Sequence, residues 1–497
     1  MMKLLTAIFW SSSFLLFSCA GTRNNYVPGR KFSKQSLQQD YRLLQNILEK
    51  KHPSLYWYTP KDSMDEYFTR YYNTITDSMT EQQFAWQVLA PLTANIHCGH
   101  TSVSMRKSYS KWLGNKRFPS FPLFMKVWND TMAVTGSLRR NDSIFKRGTL
   151  ITSVNGLRNA QLIQKMFRYL PEDGYADNIN YLRLSANFPY YHRNIFGLSK
   201  NYTVGYMDSS GTERTAILPL FIPVKDSSKR DSLLKPPKQK IPKEQKLLQY
   251  RSLEIDSSGT MAIMTLNTFS KGKLRRFFRR SFRKLKEQQI NNLVLDIRSN
   301  GGGRVGLSTL LTRYLSRQPF KVADTLYAVA HGLGPYTRYV KGKFLNNLEM
   351  LFISRKNKDG LYHVHHLEHK LYKPKQNGHY DGEVYVLING PTFSASALFC
   401  NAVKGQRGIT LMGEETGGGW YGNSGIMIPD ITLPNTRLRV RLPLFRLVQY
   451  NHIAQKGTGV KPDIYVGPNY EALLNGYDKK MQQVKQLIRD RIQKKLP

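Results

Sequence analysis

Two apolar strands, each followed by a turn of small residues, constrain the fold of this 497-residue chain most strongly. The first apolar run, Leu293–Asp296, opens onto the glycine-rich segment Arg298–Gly303. The second, Val384–Ile388, leads into Pro391–Ser396 and then into a helical pattern. Buried strands that alternate with helices are typical of α/β proteins. The sequence therefore predicts an α/β core in the second half of the chain.

The chain before this core divides into two regions by the period of its apolar residues. Leucine and isoleucine recur at helical spacing in the first region, so residues 36–115 are predicted to form an N-terminal helical region. The alternation over Phe121–Leu138 indicates a β-hairpin, and a helical stretch follows from Asn159. Residues 118–222 are therefore predicted to form a separate β-rich module.

Polar and basic segments separate these regions. Residues 20–35 are polar and interrupted by Gly and Pro, which suits a tether. Residues 223–250 are rich in Lys and Pro, so we expect an exposed linker or insertion there. The α/β core is assigned to residues 251–470, and residues 471–497 are predicted to form a C-terminal helix.

Residues 1–19 have the features of an export signal. A basic residue, Lys3, precedes an apolar stretch that is too short for a membrane-spanning helix of ~20 residues. The ending Leu16–Cys19 resembles a bacterial lipobox, which implies that Cys19 is lipidated and anchors the protein to a membrane. A plain signal peptide with an incidental cysteine is the alternative. Because no acidic residue follows Cys19 closely, we expect a periplasmic-facing protein of the bacterial cell envelope.

The chain is strongly basic, with 74 Lys and Arg against 34 Asp and Glu and a formal net charge of +40. Such a chain is attracted to polyanions. Outside the cytoplasm nucleic acid is not an expected partner, which leaves anionic envelope components or a merely solvated surface. An amphipathic helix over Lys271–Gln289 concentrates arginines on one side. Three cysteines exclude a disulfide framework, and Cys98 and Cys400 are either free or paired.

Three segments carry residues suited to acyl transfer. Asn389–Ala397 exposes hydroxyl groups at the start of a helix, where unpaired N–H groups stabilise negative charge, although a helix cap explains it equally. The glycines of Asp296–Gly303 let backbone N–H groups approach a ligand, or form a flexible turn. Ile96–Ser102 offers a histidine as a general base, or a buried structural histidine. Its two histidines and one cysteine also suggest a metal site, but no second ligand cluster at zinc spacing supports one.

Taken in this order, the segments resemble the tail-specific, or C-terminal-processing, serine protease family, and its tricorn-type branch most closely. The resemblance covers nearly the whole mature chain. It rests on Gly99–Thr101, a PDZ-like segment at Phe145–Gly156, Leu295–Gly303, Ser394–Ser396, Gly413–Gly418 and Gly459–Asp463. It implies a multi-domain α/β fold with a helical N-terminal region, a PDZ-like β-rich module and a ClpP/crotonase-like catalytic core.

The resemblance also implies a role for individual residues. Ser394 matches the nucleophile, and His100 matches the general base. Gly301 or Gly302, together with the N–H of Ala395, matches the oxyanion hole. The implied activity is that of a serine endopeptidase that acts on polypeptides without a metal or an organic cofactor.

The sequence departs from the family pattern at two places. The lysine base of the processing branch would fall on Gly419, so a Ser–Lys dyad is excluded at that position. In the tricorn-type branch a serine adjoins the histidine and a later glutamate completes the relay, but here Gly99, Gln455 and Lys456 occupy those positions. The acid that orients His100 is left open among Glu414, Glu415 and Asp463.

Two other interpretations compete with a serine peptidase. His365, Glu368 and His369 fit the inverted zinc-peptidase pattern H-x-x-E-H, in which a helix presents both histidines to zinc and the glutamate is the base. The surrounding Leu361–Tyr372 favours an exposed alternating strand over an uninterrupted helix. The second is a peptide-binding module on the same fold whose catalytic relay is incomplete.

Overall fold

A computed structural model describes residues 26–139, 141–223, 242–340, 352–451 and 453–493. The predicted export signal, including Cys19, and most of the predicted linker lie outside these residues. Among the helices within them, none combines the length and the apolar character that crossing a membrane requires.

Helices form most of the N-terminal region and flank the sheets of the rest. Near the N-terminus they are Lys34–Lys51, Lys61–Asn73, Glu81–Gln83, the π-helical Phe84–Leu89, Ala90–Ala94 and Lys107–Leu113. The β-rich module contains Asn159–Phe167 and Asn178–Phe196. Those after it are Lys243–Leu248, Leu274–Glu287, Val305–Leu315, the 3₁₀ helix Gly334–Tyr339, His365–Glu368, Ala395–Val403, Tyr470–Asn475 and Lys479–Gln493.

An antiparallel sheet forms the β-rich module. In spatial order its strands are Leu123–Trp128, Thr131–Ser137, Leu150–Val154, Asn201–Met207 and Glu213–Pro219. A short sixth strand, Leu157–Arg158, pairs with Leu150–Val154. The first two strands are the predicted hairpin, because Trp128 pairs with Thr131 across a turn in which Asn129 has a φ of +46°. The sheet and its helices enclose an apolar core of their own around Phe121 and Phe188.

A six-stranded sheet forms the α/β core. In spatial order its strands are Arg251–Ile255, Ala262–Leu266, Asn292–Asp296, Glu383–Ile388, Ile409–Gly413 and Ile464–Tyr465. The first pair is antiparallel, and the other four pairs are parallel. The helix Leu274–Glu287 buries its aromatic side against this sheet and exposes its arginines, as its amphipathic pattern predicts.

The two glycine- and serine-rich loops lie side by side at one edge of this sheet. Strands Asn292–Asp296 and Glu383–Ile388 are parallel neighbours, with Leu295 opposite Val386. Because the carboxyl ends of parallel strands meet at the same edge, the loops that follow them come together there. The N–H of Phe393 donates to the carbonyl of Asn300 at 3.2 Å and joins the two loops.

The N-terminal helices share an apolar core with segments from late in the chain. Leu44 and Leu92 belong to the same buried cluster as Ile431 and Phe445. Three small sheets lie in or beside this core. The largest contains Arg355–Lys356, Tyr362–His363, Thr325–Ala328, Phe445–Val448 and Gly422–Ile426. The second contains Asp430–Thr432, Arg439–Arg441 and Val103–Ser104. The smallest pairs Lys31–Phe32 with Met79–Thr80. This packing fixes the loop that carries His100.

The strand expected over Leu361–Tyr372 is wrong beyond its first residues. The structure has a two-residue strand, Tyr362–His363, and then a four-residue helix, His365–Glu368. The helix forms because Glu368 turns inward, where its Oε1 accepts from the N–H of Leu326 at 2.7 Å. That carboxylate also lies 2.8 Å from Nδ1 of His363.

His192 makes the stability of the β-rich module sensitive to acid. It is buried against the rings of Phe121, Phe188 and Tyr202, and burial lowers its pKa from 6.5 to about 4. Between these two pH values only the unfolded chain binds a proton at His192. The contribution of the neutral, buried ring to the free energy of unfolding is therefore fully present above about pH 6.5. It falls by about 1.4 kcal/mol for each unit that the pH drops towards 4.

We therefore expect His192→Phe to lose less stability than the wild type between pH 7 and about pH 5 in urea unfolding followed by near-UV circular dichroism. The exposed His366, changed to Phe, is the matched control and should keep the wild-type pH dependence. An unaltered pH dependence in His192→Phe would contradict this assignment.

Candidate active site

Ser394 stands on a sharp turn between the strand Glu383–Ile388 and the helix Ala395–Val403. Its φ of +55° lies in the left-handed region, which costs a residue other than glycine free energy. A strand, a strained serine and a helix in this order form the nucleophile elbow of serine hydrolases. Ser394 is half-buried whereas Ser396 is fully buried, so the accessible hydroxyl is that of Ser394.

His100 reaches the elbow from the N-terminal region. It lies in the loop between the helix Ala90–Ala94 and the strand Val103–Ser104, and its ring packs 4.7 Å from that of Phe393. His100 Nε2 and Ser394 Oγ each lie 2.9 Å from the point that a Cβ atom on Gly425 would occupy. The two atoms are therefore separated by no more than twice that distance.

Neither ring nitrogen of the buried His100 has a hydrogen-bond partner among the described residues. The Ser394 hydroxyl and the His100 imidazole are thus adjacent, but no hydrogen bond joins them. Hydrogen bonds between catalytic groups are often long in unliganded sites and tighten when substrate binds.

Asp173, which the sequence analysis missed, lies on the other side of the His100 ring. Its Oδ1 is 3.7 Å from His100 Nδ1, and both side chains are about 5% exposed or less. The same Oδ1 accepts from the N–H of Gly99 at 2.8 Å, and Oδ2 accepts from the N–H of Gly419 at 3.3 Å. These two bonds hold the carboxylate beside the ring.

Asp173 belongs to the β-rich module, between the helices Asn159–Phe167 and Asn178–Phe196. Its neighbour Gly174 donates its N–H to the carbonyl of His97 at 2.9 Å, and that contact ties the module to the histidine loop. No local pattern in the segment Pro171–Gly174 indicates this approach. Only the packing of the β-rich module against the N-terminal region creates it.

The three acids predicted as candidates for orienting His100 are bound elsewhere. The partners are Lys480 for Glu414, the N–H of Gly459 for Glu415, and Lys404 for Asp463. Among the described residues, Asp173 is the carboxylate that forms an ion-pair contact with His100. Asp173 therefore occupies the position expected for one of those three acids.

Gly99 stands where the resembling family has a serine, and close packing explains the difference. A Cβ atom at this position would lie 2.6 Å from Cζ of Phe393 and 3.2 Å from Oδ1 of Asp173. The first distance is shorter than any real contact of a Cβ atom. Glycine therefore allows His100 to lie between the elbow and Asp173.

Two of the predicted oxyanion donors, Gly302 and Ala395, lie at the elbow, and the three donors differ in their hydrogen bonds. The N–H of Gly302 donates to Oδ1 of Asn300 at 3.0 Å. Within the described part of the chain, the N–H groups of Gly301 and Ala395 have no partner. A Cβ atom on Gly302 would lie 2.8 Å from Cβ of Ser394, so that glycine permits the close approach of the two loops. Of the three predicted donors, Gly301 and Ala395 are thus the two whose N–H groups are not already used within the described residues.

The two cysteines that the structure describes are both free and buried. Cys98 lies beside His100 and Asp173. Burial, with a smaller contribution from the charge of Asp173, raises the pKa of its thiol to about 11. The pairing of Cys98 with Cys400 that the sequence left open is not formed.

The residues of the rival zinc site also lie together. Ligand atoms of His365, Glu368 and His369 are within 4.8 Å of one another. However, Glu368 is buried and already accepts from the N–H of Leu326. A carboxylate held in this way is poorly placed to act as the base that a zinc peptidase requires.

Comparison with known proteins identifies the α/β core. Residues 260–466 match the model of peptidase family S41. The α/β core therefore belongs to this family of serine peptidases. The matched region contains Ser394 and the glycine loop, whereas His100 and Asp173 lie outside it. The family expected from the sequence is therefore confirmed, and the protein is an enzyme of the serine peptidase class.

Solved structures of CPAF show the same fold over most of the chain. Mature CPAF has a TM-score of 0.60 and 14% identity, over 93% of this chain and 99% of that chain. CPAF complexed with lactacystin has a TM-score of 0.59 and 15% identity, with the same coverage. The photosystem II D1 C-terminal processing protease has a TM-score of 0.40 and 14% identity, over 89% and 98% of the two chains.

At these identities the CPAF likeness shows the fold alone, and it confirms the expected multi-domain α/β fold. The PDZ-like character of the β-rich module stays a prediction. A search of curated proteins finds no significant match.

The space beside Gly425 gives a direct test of this geometry. In Gly425→Ala the new methyl group would lie 2.9 Å from both His100 Nε2 and Ser394 Oγ and separate them. Gly425 has no positive φ, so its backbone conformation suits alanine, but the methyl group would also lie 2.7 Å from Asn423 Oδ1 and the surrounding side chains must shift. We expect kcat/KM for a peptide substrate to fall at least about 100-fold in protein that is still folded, as thermal unfolding measured in parallel should show.

Gly306→Ala is the matched control, because a Cβ atom there meets no described residue within 4 Å. This variant should keep wild-type activity. Full activity in Gly425→Ala would show that His100 and Ser394 do not act together across this space.

Proposed function

We propose that this protein is a serine endopeptidase that cleaves polypeptides through an acyl-enzyme, with Ser394 as the nucleophile and His100 as the general base. The main observation in favour of this proposal is that Ser394 Oγ and His100 Nε2 lie close together beside Gly425. The membership of the α/β core in peptidase family S41 supports it.

The proposed reaction follows the usual course of acyl transfer. His100 Nε2 takes the proton of the Ser394 hydroxyl as Oγ attacks the carbonyl carbon of the scissile peptide. The N–H groups of Gly301 and Ala395 stabilise the oxyanion of the tetrahedral intermediate. The imidazolium then gives its proton to the leaving amine, and water activated by the same ring releases the acyl group.

Asp173 completes the proposed relay as a positioning residue. A proton on His100 Nδ1 points towards the Asp173 carboxylate, and this tautomer leaves the lone pair of Nε2 for the serine. The negative charge also stabilises the imidazolium that forms during the reaction. The N–H groups of Gly99 and Gly419 keep the carboxylate in place.

The proposed place of action is the bacterial cell envelope, with the protein anchored by a lipid on Cys19 and facing the periplasm. The pattern of residues 1–19 supports this location. The substrates are polypeptides of that compartment, and preference for loose C-terminal tails is the family's implication. A peptide-binding protein without catalysis is the second candidate, because no hydrogen bond joins Ser394 to His100 among the described residues.

A fluorophosphonate reagent, which labels activated serines, separates these two functions. We expect the wild type to be labelled and Ser394→Ala to be unlabelled, with kcat reduced by at least about 10⁴-fold. Ser396→Ala is the matched control and should be labelled, because that hydroxyl is fully buried. An unlabelled wild type would favour the peptide-binding protein, whereas labelling that persists in Ser394→Ala would contradict Ser394 as the nucleophile.

Asp173→Asn tests the positioning role. We expect kcat to fall about 10³- to 10⁴-fold with a much smaller change in KM, because the wrong imidazole tautomer impairs chemistry rather than substrate binding. Glu172→Gln is the matched control, since that neighbouring carboxylate faces His97 and should affect kcat little. Equal losses in both variants, or a loss confined to KM, would contradict the role of Asp173.

A further inference from the structure

Cys98, His100 and Asp173 form a buried cluster of three different metal-ligating side chains. Their ligand atoms all lie within 4.8 Å of one another, and each residue is at most 4% exposed. Thiolate, imidazole and carboxylate are the ligands that zinc takes in proteins. The sequence analysis found no second group of metal ligands to accompany the segment Ile96–Ser102. In the folded protein Asp173, which is distant in sequence, provides a further ligand beside Cys98 and His100.

The imidazole of His100 is free to accept a metal ion. Both of its nitrogens are buried and have no hydrogen-bond partner within the described parts of the chain, which is rare and unfavourable for a polar group. Nδ1 faces Asp173 Oδ1 at 3.7 Å, whereas two such ligands of one tetrahedral zinc ion lie roughly 3.4 Å apart. No pair in the cluster is more than 4.8 Å apart, so the widest pair must close by at most about 1 Å, which small side-chain rotations provide.

We infer that this cluster is an inhibitory site for a thiophilic divalent cation of the zinc class, formed on the catalytic base itself. The inference rests on the role of His100 in the proposed function. Charge supports it, because the Cys98 thiolate and the Asp173 carboxylate together neutralise a dication in a buried place. A water molecule completes the tetrahedral set.

The chemistry of imidazole explains the inhibition. A neutral ring has one N–H and one lone pair, and catalysis needs the lone pair on Nε2. A cation bound to Nδ1 uses the lone pair there, so the ring proton resides on Nε2. No acceptor then remains for the hydroxyl proton of Ser394. Binding also releases the thiol proton of Cys98 to solvent, and a chelator reverses both changes.

The second cluster differs in its ligands. His365, Glu368 and His369 include no thiol, and His369 is exposed. A cation bound there gives no signal from a metal–thiolate bond and lies at another part of the fold. The two clusters are therefore distinguishable by spectroscopy.

Cobalt titration of the full chain carrying Ser394→Ala tests the site without any need for activity. We expect Co²⁺ to produce a thiolate-to-cobalt charge-transfer band that zinc abolishes by displacement. Adding Cys98→Ser should remove the band, whereas adding Cys400→Ser or His369→Ala should leave it. If Cys98→Ser fails to fold, the band in a Cys19→Ser, Cys400→Ser protein, which keeps Cys98 as its one cysteine, still decides the matter. The absence of a thiolate band, or a band that survives in folded Cys98→Ser, would overturn the inference.

A parallel measurement separates this inference from the proposed function. Zinc should prevent fluorophosphonate labelling of the wild type, and folded Cys98→Ser should resist zinc. A cobalt band in a wild type that is never labelled would leave the cation site standing and refute the peptidase. Labelling of Ser394 without any cobalt band would support the peptidase and refute the cation site.

Discussion

The parallel pairing of Asn292–Asp296 with Glu383–Ile388 is the constraint on which the site depends. It brings the glycine loop and the serine elbow to one edge of the sheet, where the hydrogen bond between Phe393 and Asn300 joins them. The elbow alone supplies a hydroxyl in a strained turn. The proposed base, His100, and the carboxylate of Asp173 come from two other regions, so the proposed relay forms only when all three regions pack together. Activity is thus expected to report on the assembled protein rather than on the α/β core alone.

Much of the fold and part of the site follow from local patterns in the sequence. The hairpin around Asn129, the amphipathic helix Leu274–Glu287 and the strand before Ser394 each form because their own residues favour that structure. The choice between Ser394 and Ser396 came from family resemblance, and their different burial agrees with it.

What the sequence did not predict depends on contacts between distant residues. Asp173 sits in a turn without a motif, and its role follows from packing between the β-rich module and the histidine loop. Likewise, the short helix His365–Glu368 exists because Glu368 bonds to Leu326, far away in sequence. Glu414 and Asp463 looked available in the sequence, but lysines from other segments neutralise them. Such pairings have no periodicity that a sequence pattern can reveal.

The central claim is that Ser394 and His100 form one acyl-transfer unit, and trapping of the acyl-enzyme tests it most directly. The protein is mixed rapidly with an activated peptidyl ester, quenched in acid, digested and mapped by mass spectrometry. The account predicts a burst of released alcohol and an acyl group on Ser394 in the wild type, with neither in His100→Ala. An acyl group on another residue, or an equally fast burst in His100→Ala, would contradict it.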